Sequence, residues 1–147
     1  MKLKQHVGKQ MTVSPSEAGN WLAFTLDHIE KGTATISLTI RPEMTNPYKH
    51  IHGGMMALVM DESIGWAVLS LELENNFTTL NLNVDYLYAI KSGERLKATS
   101  NIIRAGKKII NVECLVYDMQ DRLLAKASSN LINTGMQRER IEDIEIG

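Results

Sequence analysis

Apolar and polar positions change period three times along the chain. Residues 1–20 hold no sustained period, and the turn-forming run SPSEAGN suggests a loosely attached arm or short helix, with Ser14 as N-cap ahead of Pro15. From Trp21 the pattern turns β-like: LAFTLDHIEKG, then TATISLTI, where Ala34, Ile36, Leu38 and Ile40 alternate with Thr33, Thr35, Ser37 and Thr39. Lys31-Gly32 is the natural turn of a hairpin between them. Two prolines then interrupt PEMTNPYKHI, and a long apolar stretch from Met55 to Leu71 follows. Its length and its Met, Ala and Leu content predict a helix, apolar nearly all round and so wrapped by the rest of the fold. Past Glu74-Asn75-Asn76 the chain reads β in four runs: TTLNLNVDYLYAI, GERLKATSNIIRAG, KKIINVECLVYD and RLLAKASSNLIN. Turn signals at Lys91-Ser92-Gly93, Ala105-Gly106 and Met119-Gln120-Asp121 suit an antiparallel meander.

Two strands, one long helix and four strands define an α+β fold, a mostly antiparallel sheet of about six strands against one helix. At 147 residues the chain suits one domain. Residues 1–20 form the arm, 21–134 the domain, and 135–147, ending QRERIEDIEIG, a charged tail. One helix covers such a sheet incompletely, and its outer strands expose edges, so at least a homodimer is expected.

Charge narrows the partners. A net charge of −1 and a pI of about 6.4 give no field suited to a nucleic-acid backbone or an anionic membrane. MKLKQHVGKQ lacks a signal-like apolar core, and no uncharged run reaches spanning length, so the expected setting is cytoplasmic, with no membrane partner. The single Cys114 lies in a strand-like run and reads as a small hydrophobe. His50 and His52 lack further ligands at metal spacing, and no metal site is expected.

The chemistry concentrates at His52-Gly53-Gly54, where the long helix begins. Backbone N–H groups at a helix start carry the positive end of the helix dipole, and glycines leave them bare. Such a site can hold an anion or a carbonyl oxygen becoming one; equally, the glycines can serve only close packing. A phosphate loop is disfavoured, since no lysine and hydroxyl follow and no strand directly precedes. Asp61 sits in the apolar helix eight residues beyond Gly53, roughly 12 Å along the axis at the helical rise. One chain cannot bring both to one reacting atom; cooperation requires a second subunit with its helix roughly antiparallel. Otherwise Asp61 is a carboxylate satisfied by hydroxyls or backbone donors. Glu62 reads as solvated or salt-bridged at the helix edge. No Gly-x-Ser-x-Gly elbow supports a Ser-His-Asp triad.

Asn46, His52-Gly53-Gly54 opening the helix, Asp61 within it and Thr79 at the head of the next strand together resemble the hotdog-fold acyl-CoA thioesterases, in particular the PaaI-like group of the phenylacetate type. The element order from Trp21 to Thr134 is similar to that fold, a curved antiparallel sheet wrapped around one central helix. The resemblance implies hydrolysis of an acyl- or aryl-CoA thioester, with coenzyme A as part of the substrate and no metal or redox cofactor. It implies that Gly53 N–H polarises the carbonyl, that Asp61 of the neighbouring subunit is general base or nucleophile, and that Thr79 helps hold water. Asn46 and His52 would orient the thioester. Gly54, Met55, Met56, Met60 and Tyr86 would contact substrate, and Arg104, Lys107 and Lys108 would meet the coenzyme A phosphates. The implied assembly is a homodimer or a dimer-of-dimers tetramer. A non-catalytic acyl-CoA binding or sensing module is the alternative. A hydratase is disfavoured because Trp66, not histidine, lies five residues after Asp61.

Overall fold

The computed structural model describes residues 1–138. Its elements are α1 (Glu17–Leu22), β1 (Thr25–Glu30), β2 (Thr33–Thr39), α2 (Gly53–Leu69), β3 (Asn75–Tyr86), β4 (Arg95–Ala105), β5 (Ile109–Asp118) and β6 (Leu123–Gln137), with single 3₁₀ turns at Lys2–His6 and Pro42–Met44. The six strands form one antiparallel sheet in the order β1-β2-β4-β5-β6-β3. Only β4, β5 and β6 form a meander. The expected four-strand meander fails at β3, which pairs with β6 rather than β4, because the segment after it carries the chain to the far side of β5 and β6. β6 also runs to Gln137, into the segment assigned to the charged tail; residues 139–147 lie outside the described residues.

The sequence periods fix which faces meet. On α2, Met56, Val59, Met60, Ser63 and Ala67 recur at helical spacing and are buried against the sheet. They meet Ile36, Leu38, Ala98, Val112, Cys114 and Val116, all in the same core. Phe24 closes one end, its ring 6.2 Å from that of Trp66 in an edge-to-face contact. Ser63 is the polar exception on this face: its hydroxyl lies 2.8 Å from that of Ser100 and donates to the carbonyl of Ala98, which tethers α2 to β4. Cys114 is fully buried beside this pair, and burial pushes its thiol up to about 11.

The wrapping of α2 is incomplete. A stripe of Leu58, Asp61, Glu62, Gly65, Val68 and Leu69, again at helical spacing, is only half-buried, because a single sheet covers one side of a helix. The arm is also more firmly held than SPSEAGN suggests. Leu3 and Met11 are fully buried, and Gly8 and Met11 donate backbone hydrogen bonds of 2.7 Å to Leu26 and Phe24. These bonds cover the outer edge of β1, whereas β3 at the opposite edge is bordered by no other strand among the described residues. The α1 cap is Ser16 rather than Ser14: Ser16 Oγ accepts from Gly19 N, and Ser14 Oγ instead donates to Asn20. Trp21 and Leu22, expected to open the first strand, finish α1.

Candidate active site

The approach to α2 is organised by Asn46. Its Oδ1 accepts from the backbone N–H groups of Tyr48 (3.0 Å) and His50 (3.3 Å), and its own N–H donates to His50 O, closing a tight loop with Lys49 at φ +65°. His52 follows as the N-cap of α2, extended at φ −67° and ψ 138°, with its ring Nδ1 accepting from Gly54 N at 3.0 Å. That bond separates the two glycines. Gly54 N–H is occupied by the cap, and among the described residues Gly53 N–H donates to nothing. The bare donor expected from His-Gly-Gly is therefore a single group. Tyr86 packs against this glycine: Tyr86 Oη donates to Gly53 O at 2.9 Å, and a Cβ on Gly53 would sit 3.4 Å from the ring. Asn46, Gly53, Met56 and Tyr86 line one groove of about 340 Å³.

Two turns along α2, Asp61 lies on the half-buried stripe. Its Oδ1 accepts from Thr79 Oγ1 at 2.9 Å, and among the described residues Thr79 is its only hydrogen-bond donor. Asp61 and Thr79 thus form a pair within one chain, whereas Asn46, His52, Gly53 and Tyr86 gather at the helix start.

A β-bulge makes both pairings possible. Thr79 pairs with Leu131 and Asn81 with Asn130, so Leu80 is an extra residue on β3. Thr79 and Tyr86 are seven apart; in a regular strand an odd separation sends side chains to opposite faces. The bulge shifts the alternation by one, so Phe77 and Thr79 before it and Leu82, Val84 and Tyr86 after it all face α2. Nothing in the alternation of TTLNLNVDY announces the extra residue.

A larger cavity of about 440 Å³ opens beside Asp61 and Thr79, walled by Gly65, Trp66, Leu69, Leu73, Phe77 and Leu131 and, from the arm, Ser14, Pro15 and Ser16. Glu62 holds the arm in place. Its carboxylate accepts from Ser16 Oγ and fills the space where a side chain on Gly19 would go, 2.7 Å from that Cβ position. Glu62 is half-buried beneath α1 rather than at a fully solvated helix edge, and among the described residues it forms no salt bridge. Burial raises its proton affinity above the usual carboxylate range, with Asp61 adding to the effect and Ser16 opposing it.

The remaining expected contacts scatter. Met60 is fully enclosed in the core and lines neither space; Met56 is also buried, at the floor of the helix-start groove, and Met55 is half-buried. Tyr86 belongs to the helix start rather than to the larger cavity. Arg104, Lys107 and Lys108 are exposed around the β4–β5 turn, whose backbone carbonyls accept from Asn133. Asn133 pairs with Phe77, which puts this basic turn at the Thr79 end of β3, away from Gly53. Among the described residues no helix is long and apolar enough to cross a membrane.

A six-stranded antiparallel sheet around one long helix that opens on a bare glycine N–H is the hotdog fold of thioesterases. The thioesterase superfamily model matches residues 48–125, more than half of the chain, and the chain belongs to that family. The medium/long-chain acyl-CoA thioesterase YigI of Escherichia coli is 27% identical over 124 residues, covering 74% of this chain and 79% of that protein. The PaaI protein of the E. coli phenylacetic acid degradation operon superposes with a TM-score of 0.75 at 20% identity, over 79% of this chain and 87% of that one. A hypothetical thioesterase protein from Streptococcus pneumoniae solved with coenzyme A gives 0.73 at 22% identity, over 79% and 88%.

Proposed function

We propose that the protein hydrolyses an acyl- or aryl-CoA thioester to the free acid and coenzyme A, in a site completed by two copies of the chain. The observation that carries the reading is the division of α2 into two half-sites: a bare N–H at Gly53, and a carboxylate held by Thr79 two turns further on, roughly 12 Å away by the helical rise. The uncovered edge of β3 supplies the means of joining them. Antiparallel pairing of β3 with its copy, about a two-fold axis midway between Thr79 and Tyr86, lays the Thr79 end of one strand beside the Tyr86 end of the other. The Asp61–Thr79 half-site then approaches the partner's Gly53, and the basic β4–β5 turn comes to the same side, where it could meet the phosphates of coenzyme A.

In that arrangement Gly53 N–H, at the positive end of the helix, polarises the thioester carbonyl. Asp61 takes a proton from water as the water oxygen bonds to the carbonyl carbon, and the resulting oxyanion rests on Gly53 N–H. Collapse breaks the C–S bond, and the departing thiolate receives the proton carried by Asp61. Thr79 favours the general-base role over attack by Asp61 itself, because its hydroxyl holds one carboxylate oxygen and leaves the other for water. His52 orients the helix start through its cap, and Asn46 holds the loop that delivers it. The acyl-CoA thioesterase activity of YigI and the coenzyme A in the S. pneumoniae structure support the substrate class. Asp61→Asn tests the reading. It should keep the fold and the oligomer and lower kcat by about 10²–10⁴ with acyl-CoA substrates; full activity in that variant ends it.

A further inference from the structure

We propose that Gly65 is the specificity-determining residue of this site, the bare stretch of α2 over which a medium-chain or aromatic acyl group lies once its carbonyl is at Asp61. The inference rests on the thioesterase reading above and assigns the 440 Å³ cavity to the acyl group.

Glycine is a poor helix former, second only to proline, and Gly65 stands in the interior of a 17-residue helix. Within the described chain the usual reasons for keeping it do not apply. Its backbone is ordinary helix, with no positive φ. A Cβ there would meet no atom within 4 Å, in contrast to Gly19, where the Glu62 carboxylate occupies the space, and Gly106, where the backbone of Ile109 does. What the missing side chain leaves open is the cavity that Gly65 lines. Four residues after Asp61, Gly65 presents the same face one turn on, about 6 Å along the axis. Beyond it the wall carries the apolar Val68, Leu69, Leu73, Phe77 and Leu131, with Asn75, Asn76 and Arg138 among them. An apolar chain leaving the carbonyl at Asp61 meets first an open stretch of backbone at Gly65 and then the side chains of Val68, Leu69 and Phe77. Alanine at this position would suit the helix better, so the cavity accounts for a residue that local helix propensity disfavours.

The chemistry selects the ligand class. Apolar side chains along a pocket discriminate by chain length, and one methylene gained or lost against them changes kcat/KM by roughly 10- to 200-fold. An acetyl group ends before Gly65; an octanoyl or phenylacetyl group passes it.

The test compares Gly65→Ala, Gly65→Phe and Asp61→Asn in the full chain, with acetyl-, octanoyl- and phenylacetyl-CoA as substrates, alongside thermal unfolding and the mass in solution. Gly65→Phe should lower the octanoyl-to-acetyl ratio of kcat/KM by on the order of 10². Gly65→Ala should raise Tm by about 2–4 °C with the oligomer intact. In an Asp61→Asn background, the emission of the cavity residue Trp66 should respond to octanoyl-CoA, and Gly65→Phe should abolish that response. An unchanged chain-length ratio in Gly65→Phe, with hydrolysis still lost in Asp61→Asn, overturns the assignment and leaves the thioesterase reading standing. A fall in Tm or loss of the oligomer in Gly65→Ala also overturns it, making Gly65 a contact between helices of two copies. Full hydrolysis in Asp61→Asn removes the thioesterase mechanism instead.

Discussion

Gly53 and Gly54 are identical side by side in the sequence, yet only one has a bare N–H, because the ring of His52 takes the other. Proline offers a clean way to remove it. At the first position of a helix its fixed φ is accommodated, and the preceding residue must be extended, as His52 already is at ψ 138°. Gly53→Pro should therefore keep the helix and lower kcat by about 10²–10³, measured beside a circular dichroism spectrum that does not change. Glu62 gives a second prediction at this scale. Its proton affinity is raised by folding, so its contribution to stability is complete below the unfolded carboxylate pKa and is lost as pH rises through the higher folded value. Glu62→Gln keeps an acceptor for Ser16 without the charge. Its Tm should exceed that of the parent at pH 7 to 8, and the gap should close below about pH 4. The sequence showed a carboxylate at this position but not α1 lying over it, since residues 46 positions apart in the chain meet only through the fold.

Elements were legible where their periods are long and regular. The β1–β2 hairpin and the strands from Arg95 onward follow alternation and turn residues, and the helix follows from its composition, although it begins two residues before the apolar run. Strand neighbours were less legible: alternation marks a strand but does not say that β3 crosses to pair with β6. The bulge at Leu80 was hidden for the same reason, being a property of pairing rather than of one strand. It also decides the site, since without it Thr79 and Tyr86 would face opposite sides. Deleting Leu80 should yield a folded protein whose acyl-CoA hydrolysis falls by about the loss of a catalytic group, 10² or more, because one half-site turns away. Leu80→Ala keeps the extra residue and should retain activity; equal activity in the deletion would remove the bulge from the mechanism.

For the whole molecule, the described chain leaves α2 with a half-buried stripe and β3 with an uncovered edge, and each half-site lies along one of them. The sequence carried this far through a spacing: eight residues of helix hold Gly53 and Asp61 too far apart to act on one atom. What it did not carry was which surface joins the copies, because an edge strand becomes visible only when the sheet order is known. Mixing Gly53→Pro and Asp61→Asn subunits tests the assembly most directly. Each homodimer lacks one half of both its sites, but a mixed dimer pairs the intact Gly53 of one chain with the intact Asp61 of the other. Unfolding and refolding the two variants together at equal concentration should restore about a quarter of wild-type acyl-CoA hydrolysis, since half of the dimers are mixed and each has one intact site. Activity no higher than that of the two variants refolded apart would contradict a site shared between chains.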